Sequence, residues 1–260
     1  MVKLVSLSIV RSRSQSLESF KEELLNGITN LPSETDFCVL PEYCWGMTEF
    51  NQVLTIIEDV KSLQLPICFV MGSIAIKTDE SGIHNQAIIL FPNGELYFVP
   101  KTNVLSGEAN RQGVKSGQNN QTFSYNGIRF GVLICADLWN YNILEKLILE
   151  QKAELLLVPA LTVVPPGLSA YAKIQWYSLG IARSREFIIP MVISDHSENN
   201  EDYDVGNASC IIDPSLKSSE MQKIEDFLML STSNMVSYEL DLNKVQEYRN
   251  YRIQNGLFRI

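Results

Sequence analysis

Short apolar segments of strand length alternate along this chain with segments whose apolar residues have helical spacing. For example, residues 129–134 are rich in branched side chains and predict a buried strand, and residues 143–148 then follow a helical pattern. Strands that alternate with helices are typical of an α/β protein with a parallel or mixed sheet. No linker divides the 260 residues, of which 45% are hydrophobic, so we expect a single domain over residues 1–260.

The same patterns predict the other elements. Strands are expected at 2–10, 67–76, 87–91, 154–159, 187–194, 207–212 and 235–240, and helices at 17–28, 50–63, 170–186 and 244–252. Residues 102–121 show no apolar periodicity, which is typical of a long functional loop. The acidic and asparagine-rich residues 195–204 predict an exposed mobile loop.

Three apolar segments end in chemically reactive side chains, namely Glu42, Lys101 and Cys135. Because the carboxyl ends of parallel strands share one edge of a sheet, we expect these side chains to meet in one crevice. Cys135 lies on a strand-to-helix turn, where backbone N–H groups and the helix dipole favour a reactive thiolate. A small apolar core residue is the alternative interpretation of a lone cysteine.

A thiol that attacks a carbonyl or nitrile carbon needs a base within hydrogen-bond reach. The chain has only two histidines, His84 and His196, and neither occupies a position that favours a Cys/His mechanism. Glu42 is the better candidate for the base, since burial beside a thiol raises a carboxyl pKa. Lys101 and the backbone N–H of Ala136 are candidates for stabilising the developing negative charge.

The composition excludes several classes of protein. The formal net charge is −9 and the basic residues are scattered, so neither nucleic acid nor an anionic membrane is an expected partner. The apolar runs are short, and we expect neither a transmembrane helix nor a signal peptide. The five cysteines are widely spaced and contain no Cys-x-x-Cys pair, which predicts free thiols in a reducing cytoplasm, no metal site and no cofactor.

Three blocks resemble, in order and separation, the signature blocks of the nitrilase-type carbon–nitrogen hydrolases: Leu40-Pro41-Glu42, Pro100-Lys101-Thr102 and Leu133-Ile134-Cys135-Ala136-Asp137. Further segments resemble the hairpin, late helix and late strand of that family: His84-Asn85-Gln86-Ala87, Phe91-Pro92-Asn93-Gly94-Glu95, Ala182-Arg183-Ser184-Arg185-Glu186 and residues 208–214. The resemblance extends over nearly the whole chain.

This resemblance implies a four-layer α-β-β-α sandwich of two mixed sheets, which sequence pattern alone does not separate from a doubly wound single sheet. It implies that Cys135 is the nucleophile of a thioester intermediate, Glu42 the general base and Lys101 the stabiliser of the transition state. Glu108 corresponds to a second family glutamate that orients the substrate or supports the lysine; an exposed loop glutamate is the alternative. Ala136 stands where a bulkier aromatic residue often follows the cysteine, which implies a wider pocket.

Aromatic residues beside these motifs are candidates for lining an apolar pocket, although such residues are as often part of the core: Tyr43, Trp45, Trp139, Tyr171 and Trp176. Asp137 is expected to cap the following helix or to hold the turn. The resemblance further implies a homodimer or a higher homo-oligomer.

Three functions remain open from the sequence. The preferred one is hydrolysis of a non-peptide carbon–nitrogen bond, with a small aliphatic amide, an ω-amido acid or a nitrile as the substrate. A soluble acyl transferase would pass the same thioester to an amine or hydroxyl group. A catalytically silent binding protein would retain the fold without turnover, which the presence of Glu42, Lys101 and Cys135 argues against.

Overall fold

The computed structural model describes residues 1–78, 82–118, 121–198, 203–217, 221, 223–230 and 233–257. In chain order, the strands are β1 (Val2–Leu7), β2 (Phe37–Val39), β3 (Cys68–Thr78), β4 (Gly82–Leu90), β5 (Leu96–Pro100), β6 (Phe123–Tyr125), β7 (Ile128–Val132), β8 (Leu155–Pro159), β9 (Val163–Val164), β10 (Met191–Ser194), β11 (Asp204–Val205), β12 (Cys210–Ile212) and β13 (Met235–Leu240). The α-helices are α1 (Leu17–Thr29), α2 (Phe50–Ser62), α3 (Ser106–Gln112), α4 (Tyr141–Glu145), α5 (Ser169–Phe187) and α6 (Leu242–Gln254). Within these described ranges no helix has the length and hydrophobicity needed to cross a membrane.

Most of the strands belong to two mixed sheets that pack face to face. The first sheet has the order β13-β1-β2-β3-β4-β5, with β1, β2 and β3 parallel to one another. The second sheet has the order β12-β10-β8-β7-β6, with β7, β8 and β10 parallel. Strand β1 contacts β10, and β3 contacts β8, so the two sheets form the central layers. The predicted α/β sandwich with two mixed sheets is confirmed.

Helices α1 and α2 cover the outer face of the first sheet because their apolar residues recur at helical spacing. On α1 the buried side chains are Phe20, Leu24 and Ile28. Trp45 is fully buried in the same layer, with its ring 5.8 Å from that of Phe20 in an edge-to-face arrangement. Trp45 is therefore a core residue, and its interpretation as a pocket residue is wrong.

Helices α4 and α5 belong to the layer on the second sheet. On α5 the residues Trp176, Tyr177 and Phe187 are buried and join the core that fills the space around the second sheet. Helix α5 ends where Ile188 adopts a left-handed φ of 50°, so the predicted strand at 187–194 begins only at Met191. The first strand is also shorter than predicted, since it ends at Leu7.

Two predictions about loops are wrong. Residues 102–121 contain the helix α3, which has no buried residue and therefore no apolar periodicity by which it could have been recognised. Residues 195–204 were expected to be exposed, but Asp195 and His196 are buried. The rest of that prediction falls in part on residues 199–202, which lie outside the described residues.

Candidate active site

Two sheets deliver the three candidate catalytic residues to one place. Glu42 follows β2 and Lys101 follows β5, and these strands run in the same direction in the first sheet because the intervening β4 is antiparallel. Cys135 follows β7, which belongs to the second sheet. The expectation of one shared sheet edge holds for the two charged residues only, and the cysteine meets them across the sandwich.

A glycine in β3 makes room for the loop that presents Glu42. Gly72 has a φ of +66° at an irregularity in the β3–β4 pairing, and a Cβ there would collide with the carbonyl oxygen of Pro41 and the Sγ of Cys44. The backbone N–H of Glu42 donates to the carbonyl of Ala160 at 3.2 Å, which ties this loop to the second sheet. The glutamate is thus held by both central layers.

His196 lies against the backbone of Glu42. Its ring Nε2 donates to the carbonyl oxygen of Glu42 at 2.6 Å. The neighbouring Asp195 accepts from the backbone N–H of Thr162 at 3.0 Å and from that of Ala208 at 2.8 Å. Sequence reasoning treated His196 as a bystander, whereas in the structure it belongs to the buried network that positions the glutamate.

Lys101 is bound between two carboxylates. Its Nζ lies 2.8 Å from Oε1 of Glu42 and 2.7 Å from Oε2 of Glu108. Lys101 and Glu42 are almost completely buried, and the side chain of Glu108 is 13% exposed. An ammonium group that is desolvated between two carboxylates is fixed in position far more firmly than a surface lysine.

Glu108 is a fully used hydrogen-bond acceptor. Besides Lys101, its carboxylate accepts from the backbone N–H of Leu105 at 3.1 Å, the hydroxyl of Tyr43 at 3.0 Å and Nδ2 of Asn85 at 3.3 Å. Leu105 is the residue that precedes α3, so the short helix begins at the site and carries Glu108 in its first turn. The alternative interpretation of Glu108 as an exposed loop residue is wrong.

Asn85 joins the two glutamates and was not singled out by sequence reasoning. Strand β4 places it directly opposite Lys101, whose backbone N–H donates to the Asn85 carbonyl at 2.8 Å. Its fully buried side chain donates from Nδ2 to Oε1 of Glu42 at 2.8 Å, and also to Glu108. Two carboxylates are thus held together by an ammonium group and an amide N–H2 group.

Cys135 sits at a sharp turn with a φ of 47°, a backbone conformation that residues with a side chain seldom adopt. It begins a short 3₁₀ helix, Cys135–Trp139, instead of the α-helix expected at this point. The thiol is 3% exposed and lies 3.6 Å from the carbonyl oxygen of Leu161. Glu42 lines the same cavity as Cys135 and its charge acts on the thiol, so a carboxylate and a thiol share one site.

Asp137 clamps the lysine segment to the cysteine turn. Its buried carboxylate accepts from the backbone N–H groups of Thr102 at 3.0 Å, Asn103 at 2.6 Å and Ile134 at 3.1 Å. Asn103 also donates from Nδ2 to the carbonyl of Ala136 at 2.7 Å. The prediction that Asp137 holds the turn is confirmed, and the clamp fixes Lys101 relative to Cys135.

Burial and charge together set the ionisation of the site. Burial raises the pKa of Glu42 against the opposing effect of Lys101. Burial and then the charge of Glu42 raise the pKa of the Cys135 thiol well above its ordinary value. Burial alone would lower the pKa of Lys101, but Glu42, Cys135 and Glu108 outweigh it and raise that pKa. The resting site therefore holds a protonated thiol beside a charged lysine.

A cavity of about 270 Å³ opens above these residues. Tyr43, Ala136, Trp139 and Trp176 are among the residues that line it. The predicted pocket residue Tyr171 is not among the described lining residues, because its side chain is 59% exposed on the outside of α5. The other described lining residues are Glu42, Lys101, Leu105, Glu108, Cys135, Leu161, Thr162, Val163, Val164, Ala172 and Gln175.

Comparison with solved structures identifies many proteins of the same fold. The chain superposes with a TM-score of 0.75 on Nit3 of Saccharomyces cerevisiae, a member of branch 10 of the nitrilase superfamily, at 17% identity over 96% of this chain and 93% of that one. A carbon–nitrogen hydrolase superfamily protein of Xanthomonas campestris gives 0.77 at 16% identity, covering 100% and 98%.

A mutant amidase from Nesterenkonia sp. AN1, which shows the Michael addition of acrylamide at its active-site cysteine, gives a TM-score of 0.70 at 14% identity, covering 99% and 100% of the two chains. At these identities the likeness establishes the fold. No curated protein sequence matches the chain significantly. A family model described as carbon-nitrogen hydrolase matches residues 34–250, which is most of the chain. The protein therefore belongs to the carbon–nitrogen hydrolase family.

Proposed function

We propose that the protein is an amidase that hydrolyses a small aliphatic amide or an ω-amido acid through a thioester on Cys135. The observation that carries this proposal is the ammonium group of Lys101, bound at 2.8 Å and 2.7 Å to two glutamates, in the same cavity as the thiol of Cys135. This cluster combines a nucleophile, a base and a fixed positive charge at the base of one cavity.

In the first half of the reaction, Sγ of Cys135 attacks the amide carbon and its proton passes to Glu42. The carbonyl oxygen becomes an oxyanion, which Lys101 and the backbone N–H of Ala136 stabilise. When the tetrahedral intermediate collapses, the carbon–nitrogen bond breaks and the leaving nitrogen takes the proton from Glu42. Ammonia or an amine departs and the acyl thioester remains.

In the second half, Glu42 removes a proton from water as the water attacks the thioester carbon. Collapse of the second tetrahedral intermediate breaks the carbon–sulfur bond, and the proton on Glu42 returns to the thiolate. The products are a carboxylic acid and the free enzyme. The raised pKa of Glu42 suits this alternation between base and acid near neutral pH.

In this mechanism Glu108 is a supporting residue. Its four hydrogen-bond donors fix its carboxylate beside Lys101, and the carboxylate in turn holds the ammonium group in place at the cavity. Acyl transfer differs only in the second step, in which an amine or hydroxyl group replaces water. A silent binding protein would require none of these groups to be activated.

We also propose that the protein forms a homodimer. Leu168, Tyr171 and Ile174 succeed one another at intervals of three residues around the start of α5 and are 45%, 59% and 57% exposed. Apolar side chains exposed at this spacing form one face of a helix, as expected of an interface. Substitution of Ile174 by glutamate should shift the sedimentation coefficient to that of a monomer. The five cysteines are free and buried, which supports the predicted cytoplasmic location.

Intact-mass spectrometry after acid quenching tests the proposed reaction. Wild type and Cys135→Ala are incubated with pooled short-chain amides, ω-amido acids, carbamoyl compounds and nitriles, and ammonia is assayed in parallel. A mass increase in the wild type alone, with ammonia release, supports the amidase. Adducts that are consumed only when an amine or hydroxyl acceptor is added indicate acyl transfer.

Acrylamide provides a second probe, because a mutant of the Nesterenkonia amidase, which has the same fold, adds it at its active-site cysteine. We expect acrylamide to modify Cys135 in the wild type and to leave Cys135→Ala unmodified. Turnover of an amide by Cys135→Ala would contradict the proposed nucleophile. A wild type that forms no adduct and releases no ammonia with any compound would favour the binding protein.

A further inference from the structure

From the walls of the cavity we infer that the enzyme selects amides with an uncharged apolar acyl group and discriminates against ω-amido acids. This inference rests on the proposed amidase function and narrows its two substrate classes to one. It depends on which side chains face the acyl group and on which charges among them are already paired.

The walls of the cavity beyond the catalytic residues are largely apolar. Leu161 and Val163 come from the segment that follows β8, and Trp139 and Trp176 come from the 3₁₀ turn and α5. The two tryptophan rings lie 6.3 Å apart and are perpendicular to each other. Further apolar lining is supplied by Leu105, Ala136, Val164 and Ala172.

The charged residues that line the cavity carry a net negative charge. They are Glu42, Glu108 and Lys101, and the lysine is already bound to both carboxylates. Among the described lining residues there is no arginine and no second lysine. A carboxylate on the acyl chain would therefore enter a partly buried site without a cation of its own, and would approach two carboxylates.

The neutral polar groups of the walls do not replace such a cation. Tyr43 donates its hydroxyl to Glu108, and the Thr162 hydroxyl donates to Asp195 and accepts from the backbone of Gly206. Gln175 is half-buried, and in the described part of the chain its side chain has no hydrogen bond, so one amide group remains for a substrate. One neutral amide suits a neutral polar atom better than a carboxylate.

Three amides with the same six-carbon backbone test the inference. Hexanamide ends in a methyl group, adipic acid monoamide ends in a carboxylate, and the methyl ester of that monoamide has its polarity and length without its charge. We measure kcat/KM from ammonia release and the mass of the acyl adduct on Cys135. We expect the charged compound to fall at least about 100-fold below the other two.

A charge placed on the wall should reverse part of this preference. Val163 is 50% exposed at the cavity wall, so an arginine fits there without entering the core. Val163→Arg should raise kcat/KM for the charged amide about fivefold, as expected for one partly exposed ion pair. It should not raise kcat/KM for hexanamide. The control Val163→Gln places a shorter, uncharged polar side chain at the same position and should give no such rise.

The outcomes separate the two proposals. Equal or better turnover of adipic acid monoamide by the wild type would overturn the inference and leave the amidase intact. A loss that the neutral methyl ester shares would also overturn it, because length or polarity would then be the cause. Failure of all three compounds, together with acrylamide, to modify Cys135 would overturn the proposed amidase itself and the inference with it.

Discussion

Replacing Glu108 by glutamine tests how the site holds its lysine. The carboxylate of Glu108 accepts four hydrogen bonds, from Lys101 at 2.7 Å, Tyr43 at 3.0 Å, Leu105 at 3.1 Å and Asn85 at 3.3 Å. A glutamine has one carbonyl oxygen, which accepts two hydrogen bonds, and its N–H2 group faces the remaining donors. At least two of the four donors therefore lose their acceptor.

The size of the effect follows from these lost hydrogen bonds. Each of the four bonds ends on a charged carboxylate, and the loss of such a bond costs about 1.5–3 kcal/mol, so the loss of two costs roughly 3–6 kcal/mol in all. The Glu108 side chain is 13% exposed, so solvent screens little of this cost. If about 2.7 kcal/mol is felt in the transition state through Lys101, kcat/KM falls about 100-fold.

The assay compares kcat/KM and thermal unfolding for the wild type, Glu108→Gln and Tyr43→Phe. Tyr43→Phe is the matched control, because it removes only one of the four donors to the same carboxylate and should cost about 1.5 kcal/mol, or about tenfold in kcat/KM. We expect the loss for Glu108→Gln to be mainly in kcat, since the lysine acts on the developing charge. Wild-type kcat/KM in a folded Glu108→Gln protein would refute this account of the site.

Three further predictions concern the backbone clamps and the base. Gly72→Ala should destabilise the fold by about 2–4 kcal/mol in urea unfolding, because φ is +66° there and the new Cβ meets the Pro41 carbonyl; an unchanged midpoint would contradict this. Burial raises the pKa of Asp137 from 3.8 to about 6, so the folded protein binds the proton of this carboxyl more tightly than the unfolded chain does. Protonation of Asp137 therefore stabilises the fold at low pH, and this stabilisation is lost as the pH rises through 6. The difference in unfolding free energy between wild type and Asp137→Asn should therefore grow by about 2.4 kcal/mol from pH 7.5 to pH 4, and a constant difference would be evidence against the buried carboxyl. The acidic limb of kcat/KM should lie above pH 4.5, because burial raises the pKa of Glu42, and a limb at or below 4.5 would oppose its role as the base.

The sequence indicated Glu42, Lys101 and Cys135 as candidates because each of them closely follows an apolar strand. The directions of these strands then bring the three side chains together. What the sequence pattern could not provide was the sheet to which each strand belongs. A doubly wound sheet and a sandwich of two sheets have the same alternation of strands and helices, and only contacts between distant strands separate them.

Asn85 has a local sequence signal. It lies two and four residues before Ala87 and Ile89 in β4 and therefore on the same face of the strand. Those two residues are buried in the core between the sheets, so a polar residue occupies an otherwise apolar face. A polar side chain in such a position needs a buried partner, and here the partners are the two glutamates. This pattern identifies the residue without identifying its partners.

His196 and α3 had no local signal. The acidic and polar residues around His196 favour an exposed loop, and its burial depends on Glu42, which lies 154 residues earlier in the chain. Helix α3 is seven residues long, without a buried side chain, so neither periodicity nor length indicates it. Both features make long-range contacts with the candidate site. His196 bonds to the backbone of Glu42, and α3 is joined to Lys101 through Glu108.

The charge of the site links its reactivity to its selectivity. Burial and Glu42 raise the pKa of the Cys135 thiol, so in the proposed reaction the thiolate forms only as the proton passes to Glu42 during attack. Any further negative charge in the cavity would raise the thiol pKa again and make that transfer harder. An acyl chain with a carboxylate is therefore disfavoured twice, since it lacks a cation in the wall and it opposes formation of the nucleophile. A neutral apolar chain displaces water from the tryptophan-lined wall and adds no charge that would oppose the action of Lys101 on the developing oxyanion.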